Sequence, residues 1–127
     1  MIVIDSSALM AIALNEPPAE ACRAAIDRHA ELLISAASLT EVLIVAMRRR
    51  ISDEIEELIE GLELSIVAVS VEDARAAARA YRTWGKGFHP AALNFGDCFA
   101  YGLARKNGCP LLYAGNDFAR TDIEAAI

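Results

Sequence analysis

The chain alternates short apolar runs with longer helical stretches, and this alternation is what most narrowly limits its fold. The runs "IVI", "LLI", "LSIVAVS" and "PLLYA" read as strands. Between them stand "ALMAIALN", "AEACRAAIDRHA", "SLTEVLIVAMRRR", "SDEIEELIEGL", "VEDARAAARAYRTW" and "FGDCFAYGLARKNG", all with helical spacing. Strands separated by helices do not pair as hairpins; they build a parallel sheet covered on both faces, with right-handed crossovers. Local punctuation agrees. Ser6 or Ser7 can cap the first helix, Pro17 and Pro18 end it, Ser52 can cap the fourth, and Gly108 stands where a helix stop is expected. In such sheets ligands bind beyond the carboxyl ends of the strands, at a point where the strand order reverses. Asp5, directly after "IVI", falls at one of those ends.

With 127 residues and 55% of them hydrophobic, the chain has enough apolar material for one large core, so a single domain over residues 1–127 is expected. No apolar run reaches the ~18 residues that span a bilayer, and the start lacks a basic, cleavable leader, which points to a cytoplasmic protein without a membrane anchor. Cys22, Cys98 and Cys109 are too widely spaced for a paired metal or redox motif and read as small buried residues in a reducing compartment. The formal charge of −6 would repel polyanions, so any nucleic-acid role requires locally concentrated positive charge.

Asp5, Glu41, Asp97 and Asp117 recur in similar settings, just past a strand or early in the next helix. Each has an ordinary structural explanation when taken alone. Ser38 and Glu41 have capping-box spacing, Asp97 would sit favourably at a helix N-terminus, and Asp117 in "AGNDF" suits a turn. Against the cap, the neighbours of Glu41 are apolar nearly all round the helix, which draws its carboxylate inward. Taken together, the four carboxylates meet at one sheet edge with no cationic side chain in the same motifs. Like charges resist joint ionisation, and a hard divalent ion such as Mg²⁺ or Mn²⁺ resolves the conflict through oxygen ligands. The chemistry suggested is metal-assisted phosphodiester hydrolysis.

The stretches "VIDSSAL", "SLTEV", "HPAALNFGDCFAYGLA" and "LLYAGNDFARTDI" together cover nearly the whole chain and resemble the PIN-domain ribonucleases, specifically the VapC-type toxins of type II toxin–antitoxin pairs. The resemblance implies an α/β/α sandwich around a central parallel sheet and an Mg²⁺- or Mn²⁺-dependent endoribonuclease that uses metal-activated water on structured RNA. It implies that Asp5 and Asp97 are metal ligands and that Glu41 helps organise metal and water. Asp117 matches the later aspartate of a "D-x-D-F" variant whose earlier acidic position is Gly115 here, leaving direct and water-mediated metal contact both open. Ser7, Asn94 and Thr121 match polar support positions. The same resemblance implies a cognate VapB-type antitoxin and a homodimer.

Positive charge is concentrated on the fifth helix. Arg75, Arg79, Arg82 and Lys86 follow steps of four, three and four, forming one basic stripe, and Arg48, Arg49 and Arg50 end the third helix. Both clusters suit phosphate binding, or a solvated face and helix-end charges respectively; neither includes an aromatic platform for a base. His89, beside Pro90, reads as structuring its loop. A haloacid-dehalogenase-type phosphatase would need a second aspartate where Ser7 stands, and a receiver domain would need an acidic pair and a late lysine that are absent. The alternative from another class is a catalytically silent interaction module.

Overall fold

A computed structural model describes residues 1–127 as a parallel sheet between two helical layers. The elements run β1 (Ile2–Ile4), α1 (Ser6–Ala13), α2 (Ala19–Asp27), β2 (Leu32–Ser35), α3 (Ala36–Arg49), α4 (Ser52–Leu62), β3 (Ser65–Val67), α5 (Val71–Trp84), α6 (Phe95–Asn107) and β4 (Leu111–Leu112). The strand order is β3-β2-β1-β4, with every pairing parallel, so the expected α/β/α sandwich is what the chain adopts.

Alternation along the strands divides the core. Ile2, Ile4, Leu32, Ile34 and Leu112 face a layer made by α1 to α4, whereas Val3 and Leu111 face α5, α6 and Phe118. The crossovers from β1 to β2 and from β2 to β3 move one way and lie on the first face. The return to β4 lies on the second, as right-handed connections require. The chain therefore reverses direction at the β1–β4 boundary, and the carboxyl ends of these two strands are where open parallel sheets bind their ligands. No helix is long and apolar enough to cross a membrane.

Several boundaries differ from the sequence reading for local reasons. Asp5, not Ser6 or Ser7, is the N-cap of α1, accepting from the Ser7 backbone N–H at 3.0 Å. That helix stops at Ala13, ahead of the prolines, where Asn15 takes a left-handed conformation with φ of 50°. Ser52 does not cap α4: Ile51 occupies the cap position and offers no side-chain bond. The strands β3 and β4 are shorter than their apolar runs, since β3 is an edge strand with Ile66 exposed. Gly108 does end α6, at a φ of 58° that suits glycine.

Phe118 is 1% exposed and pins the segment after β4 against Tyr113, ring centroids 5.1 Å apart. Phe118→Ala should cost about 3–5 kcal/mol in a urea melt, and a loss below about 1 kcal/mol would show that this anchor is dispensable.

Candidate active site

The β1–β4 boundary gathers the four acidic side chains from separate elements. Asp5 follows β1, Glu41 projects from α3 after β2, Asp97 lies in the first turn of α6, and Asp117 is exposed in the turn after β4. Their fields overlap: the charge of Glu41 acts on Asp5, and those of Asp5, Asp117 and Glu41 act on Asp97. No cation is among the groups acting on either aspartate.

Asp5 is 2% exposed, and its two oxygens have different surroundings. Oδ2 accepts from the Ser7 backbone at 3.0 Å and from Ser7 Oγ at 2.5 Å. Ser7 Oγ in turn accepts from Ala114 N at 3.0 Å, tying the end of β1 to the end of β4. Oδ1 is buried without a partner, a state that buried polar atoms rarely tolerate. Burial pushes the Asp5 carboxyl up to about 6, opposed by the Ser7 bonds and reinforced by Glu41.

Asp97 and Asn94 form a reciprocal cap at the start of α6. Asp97 N donates to Asn94 Oδ1 at 2.8 Å and Asn94 N donates to Asp97 Oδ2 at 3.0 Å. The helix-start explanation for Asp97 is therefore correct, but incomplete. The residue is 5% exposed, and burial, with the charges of Asp5, Asp117 and Glu41, pushes its carboxyl up to about 7.

For Glu41 the capping-box reading fails. The helix α3 begins at Ala36 with Ser35 as its cap, which places Glu41 beyond the first turn. Its Oε1 instead accepts from Ser6 Oγ at 2.5 Å, and its carboxylate packs so closely on Gly96 that a methyl group there would overlap Oε2. The helix is also less uniformly apolar in its setting than its sequence suggests, since Ile44 and Met47 are exposed while Glu41 is half-buried.

The donor set fits a hard divalent ion. All candidate ligands are oxygens, one of them an orphaned buried carboxylate atom aimed away from its serine partner. No three Asp, Glu, His or Cys side chains form a ready-made cation cage; Mg²⁺ is commonly held by one or two carboxylates and keeps several waters.

The remaining sequence candidates lie outside this cluster of bonds. Thr121 donates to Phe118 O at 2.7 Å and accepts from Ile123 N at 3.3 Å, so its hydroxyl is spent on its own turn. Arg75, Arg79 and Arg82 form an exposed ridge on α5, which packs on α6 rather than on the acids, and Lys86 lies just beyond it. His89 structures its loop, accepting from Ala91 N at 2.9 Å and meeting Trp84 edge-on at 4.7 Å.

Comparison with known proteins places this geometry. A family model described as PIN domain matches residues 2–124. Ribonuclease VapC30 of Mycobacterium tuberculosis is 44% identical over 126 residues, covering 96% of this chain and 95% of that one. The chain belongs to the PIN-domain family, among the VapC ribonucleases. Among solved structures, Mycobacterium tuberculosis VapC20, described as a Sarcin-Ricin loop cleaving toxin, superposes with a TM-score of 0.78 at 15% identity, covering 97% of this chain and 96% of that one. The DNA-bound VapBC of Salmonella typhimurium gives 0.72 at 16% identity, with 98% and 94% covered. Both share the PIN fold described above.

Two residues of this PIN domain's site were missed from sequence. Ser6 holds Glu41, and Gly96 leaves room for it; the only hint was a glycine in a helix's first turn, where it costs propensity. Gly96→Ala should leave the melting temperature unchanged or higher, through helix propensity, while displacing Glu41 and cutting activity about tenfold. A stable variant with full activity would show that Glu41's position is unimportant.

Both aspartates hold their protons to higher pH when folded than when unfolded. They therefore add stability that is complete below about pH 4 and is lost as pH rises through about 6 for Asp5 and about 7 for Asp97. In thermal melts with EDTA, Asp97→Asn should keep the cap, raise the melting temperature at pH 8 and have little effect at pH 4. An equal effect at both values would contradict the assignment.

Proposed function

We propose that this chain, acting as one domain over residues 1–127, is the toxin of a type II toxin–antitoxin pair: an endoribonuclease that depends on Mg²⁺ or Mn²⁺. The observation that carries the reading is the buried, partnerless Oδ1 of Asp5, in a carboxylate whose field overlaps those of Glu41 and Asp97, the last of which also feels Asp117. The family supports the reaction class, since the relatives are VapC ribonucleases.

In this reading Asp5 and Asp97 would hold the ion. When bound, it neutralises charge on the phosphoryl group and makes water a stronger nucleophile. The chain's own residues supply the rest. Ser7 fixes Oδ2 of Asp5, which leaves Oδ1 for the ion, and the Asn94 cap sets the orientation of Asp97. Glu41, gripped at Oε1 by Ser6 and packed against Gly96, would help organise the metal and its water from a fixed position beside Asp5 and Asp97. Asp117, exposed at the rim, adds negative charge and a water-binding carboxylate.

The likeness to solved VapBC assemblies supports a VapB-type antitoxin as partner, and we extend the reading to a homodimer of the toxin and to a cytoplasmic site of action.

Purified, antitoxin-free protein should cleave total RNA with Mg²⁺ or Mn²⁺ and not with EDTA. Asp5→Asn and Asp97→Asn should each lose at least about 100-fold in rate, and Ser7→Ala about 10- to 100-fold, the range typical of residues that orient a metal ligand. Equal cleavage by wild type and both aspartate variants would refute the site. Absence of metal-dependent cleavage by wild type, across total RNA from the host, would favour a silent interaction module.

A further inference from the structure

Two clefts flank the contact between α5 and α6, and their charges differ. One, of about 460 Å³, is bordered by Arg79, Arg105 and Lys106 but equally by Glu72, Asp73 and Asp122. Two of these cations are already paired, Lys106 with Asp73 at 3.1 Å and Arg105 with Asp122 at 3.6 Å. It offers no net attraction for an anionic strand. The other cleft, of about 520 Å³, lies between α5 and the start of α6, and the only charged residue along it is Lys86.

That second cleft carries the aromatic surface that the basic stripe lacked in sequence. Phe95 is 76% exposed at the first position of α6 and is braced edge-on by Phe99, with centroids 5.1 Å apart. Tyr81 lines the opposite wall, and its hydroxyl donates to Lys86 O at 3.2 Å, fixing the backbone that carries the lysine. Asn94 also lines the cleft. Its Oδ1 is committed to Asp97 N, which leaves its NH₂ as a donor to an acceptor atom in the cleft. The wall of the cleft and the cap that orients Asp97 are therefore one residue.

We propose that this cleft binds an unpaired nucleobase of the RNA strand stacked on Phe95, with Lys86 holding the adjacent phosphate and the exposed Arg75 and Arg82 on the neighbouring face of α5 holding the strand beyond it, a subsite that rests on the ribonuclease reading. A large exposed aromatic ring is costly to leave in water, and a flat π-face beside a cation and an amide donor matches the parts of a nucleotide. Charge complementarity selects this occupant. Lys86, Arg75 and Arg82 are exposed and form no ion pair, although the chain as a whole carries −6. Continuity with the acidic site through Asn94 lets one strand occupy both.

The test is fluorescence anisotropy of a labelled, mixed-sequence single-stranded RNA in EDTA, with cleavage of the same RNA in Mn²⁺ measured alongside. Phe95→Ala should weaken binding about tenfold, the scale of a lost base–aromatic stack, and Phe95→Trp should retain it. The salt dependence should stay unchanged for Phe95→Ala and should flatten by about 0.7 in log–log slope for Lys86→Ala. Exposure of the ring keeps the variants foldable, and a thermal melt checks this. Wild-type-like binding and cleavage by Phe95→Ala would overturn the subsite. So would a Phe95→Ala variant whose sedimentation mass drops while RNA binding persists, because the patch would then be a contact between copies. Phe95-dependent binding without cleavage by wild type would sink the ribonuclease reading and leave the subsite standing.

Discussion

Burial of carboxylates, reinforced by their mutual repulsion, is the constraint on which the rest of this structure depends. Burial alone drives Asp5 and Asp97 toward their neutral forms, and their neighbours Glu41 and Asp117 push Asp97 further in the same direction. A core selected only for stability would not place acids there. The scaffold tolerates them because each is anchored by local bonds that cost little: Asp5 and Asp97 double as helix-capping residues, and Glu41 accepts from a serine of the adjacent helix. These anchors fix direction without neutralising charge, so the field remains available for a cation.

The topology explains why the anchors can converge. Direction reverses at the β1–β4 boundary, so the crossover that leaves β1 and the one that enters β4 lie on opposite faces of the sheet, the arrangement in which open parallel sheets bind ligands. The N-terminus of α1 opens directly from one of these strands, and Ser7 links it to the chain leaving the other. The favourable end of the α6 dipole is aimed at the same place through Asp97. At Asp5 and Asp97 the local needs of helix starts and the chemical needs of the site are thus met by the same residues, which is why the helix-start explanation of Asp97 was partly right.

Much of this was legible in the sequence. Periodicity distinguished strands from helices, and the parallel arrangement followed from their alternation. Asp5 and Asp97 stood out because they terminate a strand and begin a helix within distinctive surroundings. Glu41 shows where local reading fails: Ser38 and Glu41 have the spacing of a capping box, but β2 ends at Ser35 and the helix starts earlier, so the true cap is Ser35. Ser6 and Gly96 act only through a residue on another element, and contacts across elements leave no local signature. Phe95 and Phe99 stand four positions apart on α6, a spacing that does not say which ring is covered; the packing of α5 against α6 leaves the first of them in water.

The central claim is that the orphaned oxygen of Asp5 is a cation ligand, and the most direct measurement is anomalous diffraction from crystals of the wild-type chain equilibrated with Mn²⁺ near pH 8, where both aspartates are ionised. The account predicts a manganese peak bonded to Asp5 Oδ1 and shared with Asp97, with Ser7 still holding Oδ2. Well-ordered crystals with saturating Mn²⁺ and no peak at this site, or a peak that leaves Asp5 uncoordinated, would contradict it.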